Sequence, residues 1–287
     1  MTLTGWHGSP RPVTLSAMPF RLRRTLLSAV LAFGLIGTAS ATHVAAATPS
    51  ASWIAAGEET ALRWANAERT RRGLVPLRLD PRVADIARER SAYMAATGRF
   101  SHAHSGGADA FDLLTRDEIR WYGAAEIIAW NRTTSPNYSA ADAVRQWMGS
   151  SGHRAILLSR DLNYIGFGLA IGSDGKRYWT GVAIKGPDRS APWVTIGSVS
   201  EQVIDSRTMR IVIRWSGADL RLQVLTSGLR YYETQRRIGG GAWTSYGTST
   251  SSYASRWFTR GVAAEFRVRA RDKAGNWSSW RTVTLTP

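Results

Sequence analysis

The run Trp147-Met148-Gly149-Ser150-Ser151-Gly152-His153-Arg154 decides the fold of the first half of this chain when it is taken with Phe100-Ser101-His102 and Ala125-Glu126-Ile127-Ile128 upstream. Together these stretches place two imidazoles and one carboxylate in a fixed order. The surrounding periodicity is mainly helical. Residues 51–72 predict a helix ending at Gly73, with Leu62, Ala65, Asn66 and Arg69 at three-and-four spacing. Asp80-Pro81 supplies an N-cap and a first-turn proline for a second helix. Its inward stripe is Val83, Ile86, Ala87, Arg90, Ser91 and Met94, and Gly98 ends it. Residues 100–107 then form a loop leaving a packed helix, where an imidazole is both positioned and exposed.

Residues 111–120 predict a short helix. Ser139 with Asp142 reads as a capping box opening a helix that packs Ala143, Val144, Trp147 and Met148. Gly149 and Gly152 bracket its end, so His153 starts the next turn. Residues 163–171 and 177–184 read as strands around Gly172-Ser173-Asp174-Gly175, a hairpin signal. Helices first and strands late give an α+β layered domain.

With Asn66-Ala67-Glu68-Arg69, Gly73-Leu74-Val75-Pro76-Leu77 and Ile165-Gly166-Phe167-Gly168 in the same order around the two histidines, residues 53–185 resemble the CAP superfamily (cysteine-rich secretory, antigen 5, pathogenesis-related 1). The likeness is to its short, cysteine-free bacterial SCP branch. It implies a three-layer α-β-α sandwich in which two histidines face each other across a cleft and hold a divalent metal, zinc or magnesium. Carried over by motif, the metal ligands are His102 and His153, and the ligand-binding set is His102, Glu126 and His153. The chain departs from the pattern at Ala125, where glycine is usual, at Ile127, where asparagine follows the glutamate, and at Ser150, where longer members carry a second acid. His104 is a substitute ligand or a solvated side chain.

The 287 residues are 44% apolar and 20% charged, an ordinary globular balance with room for two domains. Residues 1–47 predict a leader. Arg21, Arg23 and Arg24 precede the apolar run 26–36, and small-residue sites place cleavage after Ala41 or Ala47, with Met18 an alternative start. This predicts a secreted or extracellular protein, cell-wall associated, with no membrane span in the mature chain. Zero cysteines exclude a disulfide framework, thiolate metal sites and a Cys nucleophile.

The boundaries expected are 52–186 for the CAP domain, 187–194 for a linker and 195–287 for a second domain. Beyond the linker the texture is pure strand. Residues 210–215 alternate, 229–237 are extended, Gly239-Gly240-Gly241 turns, and 247–253 read as a Ser/Thr-rich loop. Ala264, Phe266, Val268 and Ala270 point one way and Glu265, Arg267 and Arg269 the other. The stretch 266–278, Phe-Arg-Val-Arg-Ala-Arg-Asp-Lys-Ala-Gly-Asn-Trp-Ser, is similar to the F strand and following turn of bacterial fibronectin type III modules, which implies an all-β sandwich of seven strands.

The formal charge is +16, of which Arg11, Arg21, Arg23 and Arg24 account for four. Residues 190–287 alone carry 14 Lys and Arg against six Asp and Glu. Such a surface draws polyanions, and for an exported protein a cell-wall polyanion or glycan fits better than nucleic acid. Trp121, Trp130 and Tyr122 near Glu126 are either core or the lining of a groove for sugar or lipid, and Trp243, Trp257, Trp277 and Trp280 in the second domain are either core or platforms for carbohydrate.

No Gly-x-Ser-x-Gly elbow, His-Glu-x-x-His helix or Walker loop is present, and no organic cofactor is implied. Ser101, Ser105, Ser150 and Ser151 lie beside the histidines. The expected function is ligand or metal binding at the cleft, with the basic module for spacing or adhesion. The alternative is a metal-assisted, peptidase-like hydrolase with Glu126 and His153 as candidate catalytic residues.

Overall fold

The computed structural model describes residues 51–286; the leader expected at 1–47 lies outside the described residues. The first domain is built on a four-stranded mixed sheet of order β1-β3-β4-β2, from β1 (Arg78–Leu79), β2 (Gly123–Asn131), β3 (Tyr164–Ile171) and β4 (Arg177–Lys185). One face carries α1 (Ala51–Thr70), α4 (Pro136–Gly149) and α5 (Ser151–Leu157); the other carries α2 (Pro81–Thr97) and α3 (Ala110–Arg116). The expected α+β layering is observed. Trp147, Phe167 and Trp179 are buried on the α1/α4 side, with Trp147 stacked on Phe167 at 5.5 Å.

The stripe expected on α2 is buried throughout, including Arg90 and Ser91. Its approach to β3 explains the glycines at 166 and 168. A Cβ at Gly166 would fall 2.2 Å from the backbone nitrogen of Ala84, and one at Gly168 would fall 2.2 Å from the carbonyl carbon of Ala87. Helix and strand therefore touch backbone to backbone, which only glycine permits. Ser91 Oγ pins the contact by donating to the Gly168 carbonyl at 2.9 Å.

The capping box expected at Ser139 and Asp142 is not formed. The helix begins four residues earlier, after Ser135, with Pro136 in its first turn. Ser139 lies inside it, fully buried, donating to Asn131 Oδ1 at 2.8 Å and accepting from Trp179 Nε1 at 3.0 Å. Its hydroxyl ties the helix to the sheet rather than closing a helix end. A capping box does form at Asp109 and Asp112, where α3 starts.

The second domain is a sandwich of seven strands: β5 (Trp193–Val203), β6 (Thr208–Ala218), β7 (Leu229–Ile238), β8 (Thr244–Ser249), β9 (Tyr253–Thr259), β10 (Ala264–Asp272) and β11 (Arg281–Leu285). They form sheets of order β5-β6-β9 and β11-β10-β7-β8. Strand β10 alternates as expected, with Ala264, Phe266, Val268 and Ala270 in the core. The 247–253 loop is shorter than expected, because Gly247 to Ser249 pair with β7 inside β8.

A segment between β6 and β7 reaches back to the first domain. Leu222 is buried in the α2/α3 cluster, Gln223 Oε1 accepts from the backbone nitrogen of Val75 at 2.9 Å, and the Val224 carbonyl accepts from Asn163 Nδ2 at 3.1 Å. The described residues of both domains belong to one compact unit.

Candidate functional site

His102 sits on the loop after α2, which Gly98 ends in a left-handed conformation at φ 67°. Ser101 Oγ accepts from the backbone nitrogen of Ala103 at 3.0 Å and shapes the turn. Glu126 lies on β2, the strand at the sheet's edge, with its carboxylate buried. The loop delivers His102 Nδ1 to within 2.5 Å of Glu126 Oε2. This leaves Nε2 as the free nitrogen of a ring that is 56% exposed.

Arg90 assembles this arrangement. Fully buried on α2, it donates from Nε to Glu126 Oε1 at 2.7 Å and from Nη2 to the Ser101 carbonyl at 2.8 Å. One guanidinium thus holds the acid and the loop that carries the imidazole. In the sequence Arg90 stands in the α2 stripe with no role of its own; a cation on an apolar stripe needs a buried anion, but the stripe does not say which.

His153 lies in α5, half-buried. Burial holds its imidazole below the usual range, with the charge His102 carries when protonated as the lesser cause. His104 is largely covered rather than solvated. Its ring stacks on Tyr93 at 4.3 Å, its Nε2 is 3.8 Å from Glu89, and burial lowers its pKa. The ligand atoms of His102, Glu126 and His153 do not form a closed trio. Among the described residues, the acidic or imidazole side chains whose ligand atoms all fall within 4.8 Å of one another are Asp188, Asp219 and Asp272. Backbone N–H groups occupy those carboxylates: Ser190 and Ser227 on Asp188, Gly228 on Asp219, Gly275 and Asn276 on Asp272. They pin the domain junction.

A cavity of about 450 Å³ opens between β2 and α5, lined by Tyr122, Ala125, Ala155, Ile156, Leu162 and Lys185. It borders the strand that carries Glu126 and the helix that carries His153. Tyr122 and Trp130 are exposed beneath cations, Arg120 over the former and Arg132 and Lys176 over the latter. Trp121 instead packs on Phe111 and the α3 cluster.

Residues 62–183 match the family model of the cysteine-rich secretory protein family, CAP. The match lies within the first domain and covers less than half of the chain. Among curated proteins, the chain is 31% identical over 131 residues to the uncharacterized protein YkwD of Bacillus subtilis, covering 46% of this chain and 48% of that protein. It is 30% identical over 128 residues to the uncharacterized membrane protein YlbC of the same organism, covering 45% and 34%. The chain thus spans about half or less of these relatives. Among solved structures it is similar to an extracellular protein containing a SCP domain from Bacillus anthracis, at 26% identity and TM-score 0.41, covering 46% of this chain and 41% of that one. It is similar also to an outer surface protein of Borrelia burgdorferi, at 16% identity and TM-score 0.41, covering 46% and 93%. No helix among the described residues is long and apolar enough to cross a membrane.

Proposed function

We propose that this is a secreted CAP-domain protein that binds a divalent metal or small ligand between His102 and His153, with a basic fibronectin type III-like module for adhesion at the cell envelope. The observation that carries the first part is the Arg90–Glu126–His102 chain. Glu126 fixes the tautomer of His102 through Nδ1 and leaves Nε2 to donate its lone pair. The depressed basicity of His153 keeps its ring in the neutral, ligating form. Two imidazoles without a closing third ligand suit an open, weak zinc or magnesium site, with Glu126 orienting one ligand from behind.

Under the hydrolase alternative, a water approaching Glu126 would share one oxygen with Arg90 or the other with His102, since each already holds one of these partners. For the second domain, the sheet orders β5-β6-β9 and β11-β10-β7-β8 support the fibronectin type III-like reading. Its surplus of cations supports envelope polyanions as partners.

Zinc titration by calorimetry tests the site. One-site binding is expected in the parent, lost in His102→Ala and His153→Ala, and weakened about 10- to 100-fold in Glu126→Gln. Absence of binding in the parent overturns the metal site.

A further inference from the structure

We propose that the open edge of the sandwich between β8 and β9 is a binding pocket for an acidic sugar, a carbohydrate unit carrying a carboxylate or a phosphate. This rests on the adhesion role proposed for the second domain and deepens it by locating the contact and naming the ligand class.

A cavity of about 340 Å³ lies there, and Trp215, Thr234, Tyr246, Tyr253, Ser255 and Arg256 are among its lining. Two lining residues have buried polar atoms without a hydrogen-bond partner: the indole Nε1 of Trp215 and the hydroxyl of Tyr246. Orphaned donors in an interior cost folding free energy, and both of the residues that carry them line this cavity. The Tyr246 phenol is protonated at neutral pH, and burial pushes it further up, with neighbouring Arg236 a lesser, lowering influence.

The charge at this cavity is also unspent. Arg256 and Arg236 stack on the Tyr246 ring at 4.7 Å and 5.0 Å. Among the described residues neither has a carboxylate partner, and Arg256 donates only to the Ser255 carbonyl, at 2.9 Å. On the outer face of the four-stranded sheet, by contrast, Arg237 and Arg269 are neutralised by Glu265 and Glu233. At the rim Tyr253 is 51% exposed, with Arg214 at 5.6 Å from its ring.

An aromatic rim, neutral donors, hydroxyls and a free guanidinium match a ring rich in oxygen acceptors with an anionic substituent. The lining holds no carboxylate or imidazole for a metal, and its hydroxyls suit an apolar chain poorly.

The test is titration of the full chain with galacturonic acid trisaccharide, glucosamine 6-phosphate and neutral galactotriose, followed by the NMR indole N–H signals. Saturable binding is expected for at least one acidic sugar, shifting the Trp215 signal, with galactotriose at least about tenfold weaker. Arg256→Gln should lose about tenfold, and Tyr246→Phe should weaken binding without lowering the thermal midpoint. Which acidic sugar binds identifies the anion. No saturable binding by either acidic sugar, equal binding of the neutral one, or unchanged affinity in both variants overturns the pocket. Retention on isolated cell walls separates the two levels. Parent and Arg256→Gln retained equally overturns the pocket alone, whereas a parent that is not retained overturns the adhesion role as well.

Discussion

Arginine is used in opposite ways by the two domains. In the first, Arg69 and Arg90 are fully buried. Arg69 donates to the carbonyls of Val75, Leu157 and Ser159 at 2.8 to 2.9 Å, and burial, with nearby Arg160 a lesser cause, lowers its pKa to about 10. In the second domain the arginines of β10 stand outside. Arg267 lies between Trp243 and Trp280 at 4.0 Å and 4.3 Å, and Arg269 between Trp277 and Trp280 at 3.9 Å and 4.5 Å. A buried guanidinium has few alternatives to its partners, so it fixes loops and side chains in place. A stacked one covers a sheet face and stays close to water.

The same substitution in both places should break this comparison most visibly. Arg90→Met leaves Glu126 buried without its cation and frees the His102 loop, at an expected cost on the order of 3 kcal/mol. Adding Glu126→Gln should recover part of it. Arg267→Met removes two stacking contacts at the surface and should cost about 1 kcal/mol or less. Urea midpoints measure both, and equal losses would mean that the two environments are not energetically distinct.

The next largest effect concerns whether the domains behave as two bodies. Leu222 belongs to the second domain's chain but packs in the first domain's core. Leu222→Ala should cost about 2–3 kcal/mol. It should also split a single calorimetric transition into two, because the link through Gln223 and Val224 loosens with it. A parent with two transitions would refute the coupling.

Much of this was legible in the sequence where local chemistry dictates geometry. The α2 stripe, the hairpin at Asp174-Gly175 and the alternation of β10 follow from periodicity and turn residues. The motif 66–69 proved structural: Asn66 bonds both backbone groups of Leu77, and Arg69 holds the 157–159 turn. Ser139 misled because a capping hydroxyl and a buried cross-link look alike until the partner on another element is known. Arg90's role was hidden for the same reason, since its acid lies 36 residues away. Trp243, Trp277 and Trp280 were open between core and surface. Sequence alone could not show that they stack on arginines, because that depends on which strands lie side by side.

The smallest effect compares carboxylates whose pKa values are moved in opposite directions. Asp174, at the β3–β4 turn, is held down to about 2 by Lys176, first through its side chain and then its backbone nitrogen. Because that value lies below the unfolded one of about 3.9, its stabilisation is complete above the unfolded value and fades as pH falls through 2. Asp205, at the β5–β6 turn, is lowered in the same direction, chiefly by the Arg207 N–H. At the domain junction, burial raises Asp219 instead. There the folded state holds its proton more tightly, so stability is lost as pH rises through the raised value. Thermal midpoints of Asp174→Asn and Asp219→Asn against the parent, followed from pH 7 to pH 2, should therefore show pH-dependent parts of opposite sign. Slopes of the same sign would mean that the junction carboxylates are as well solvated as those of the surface turns.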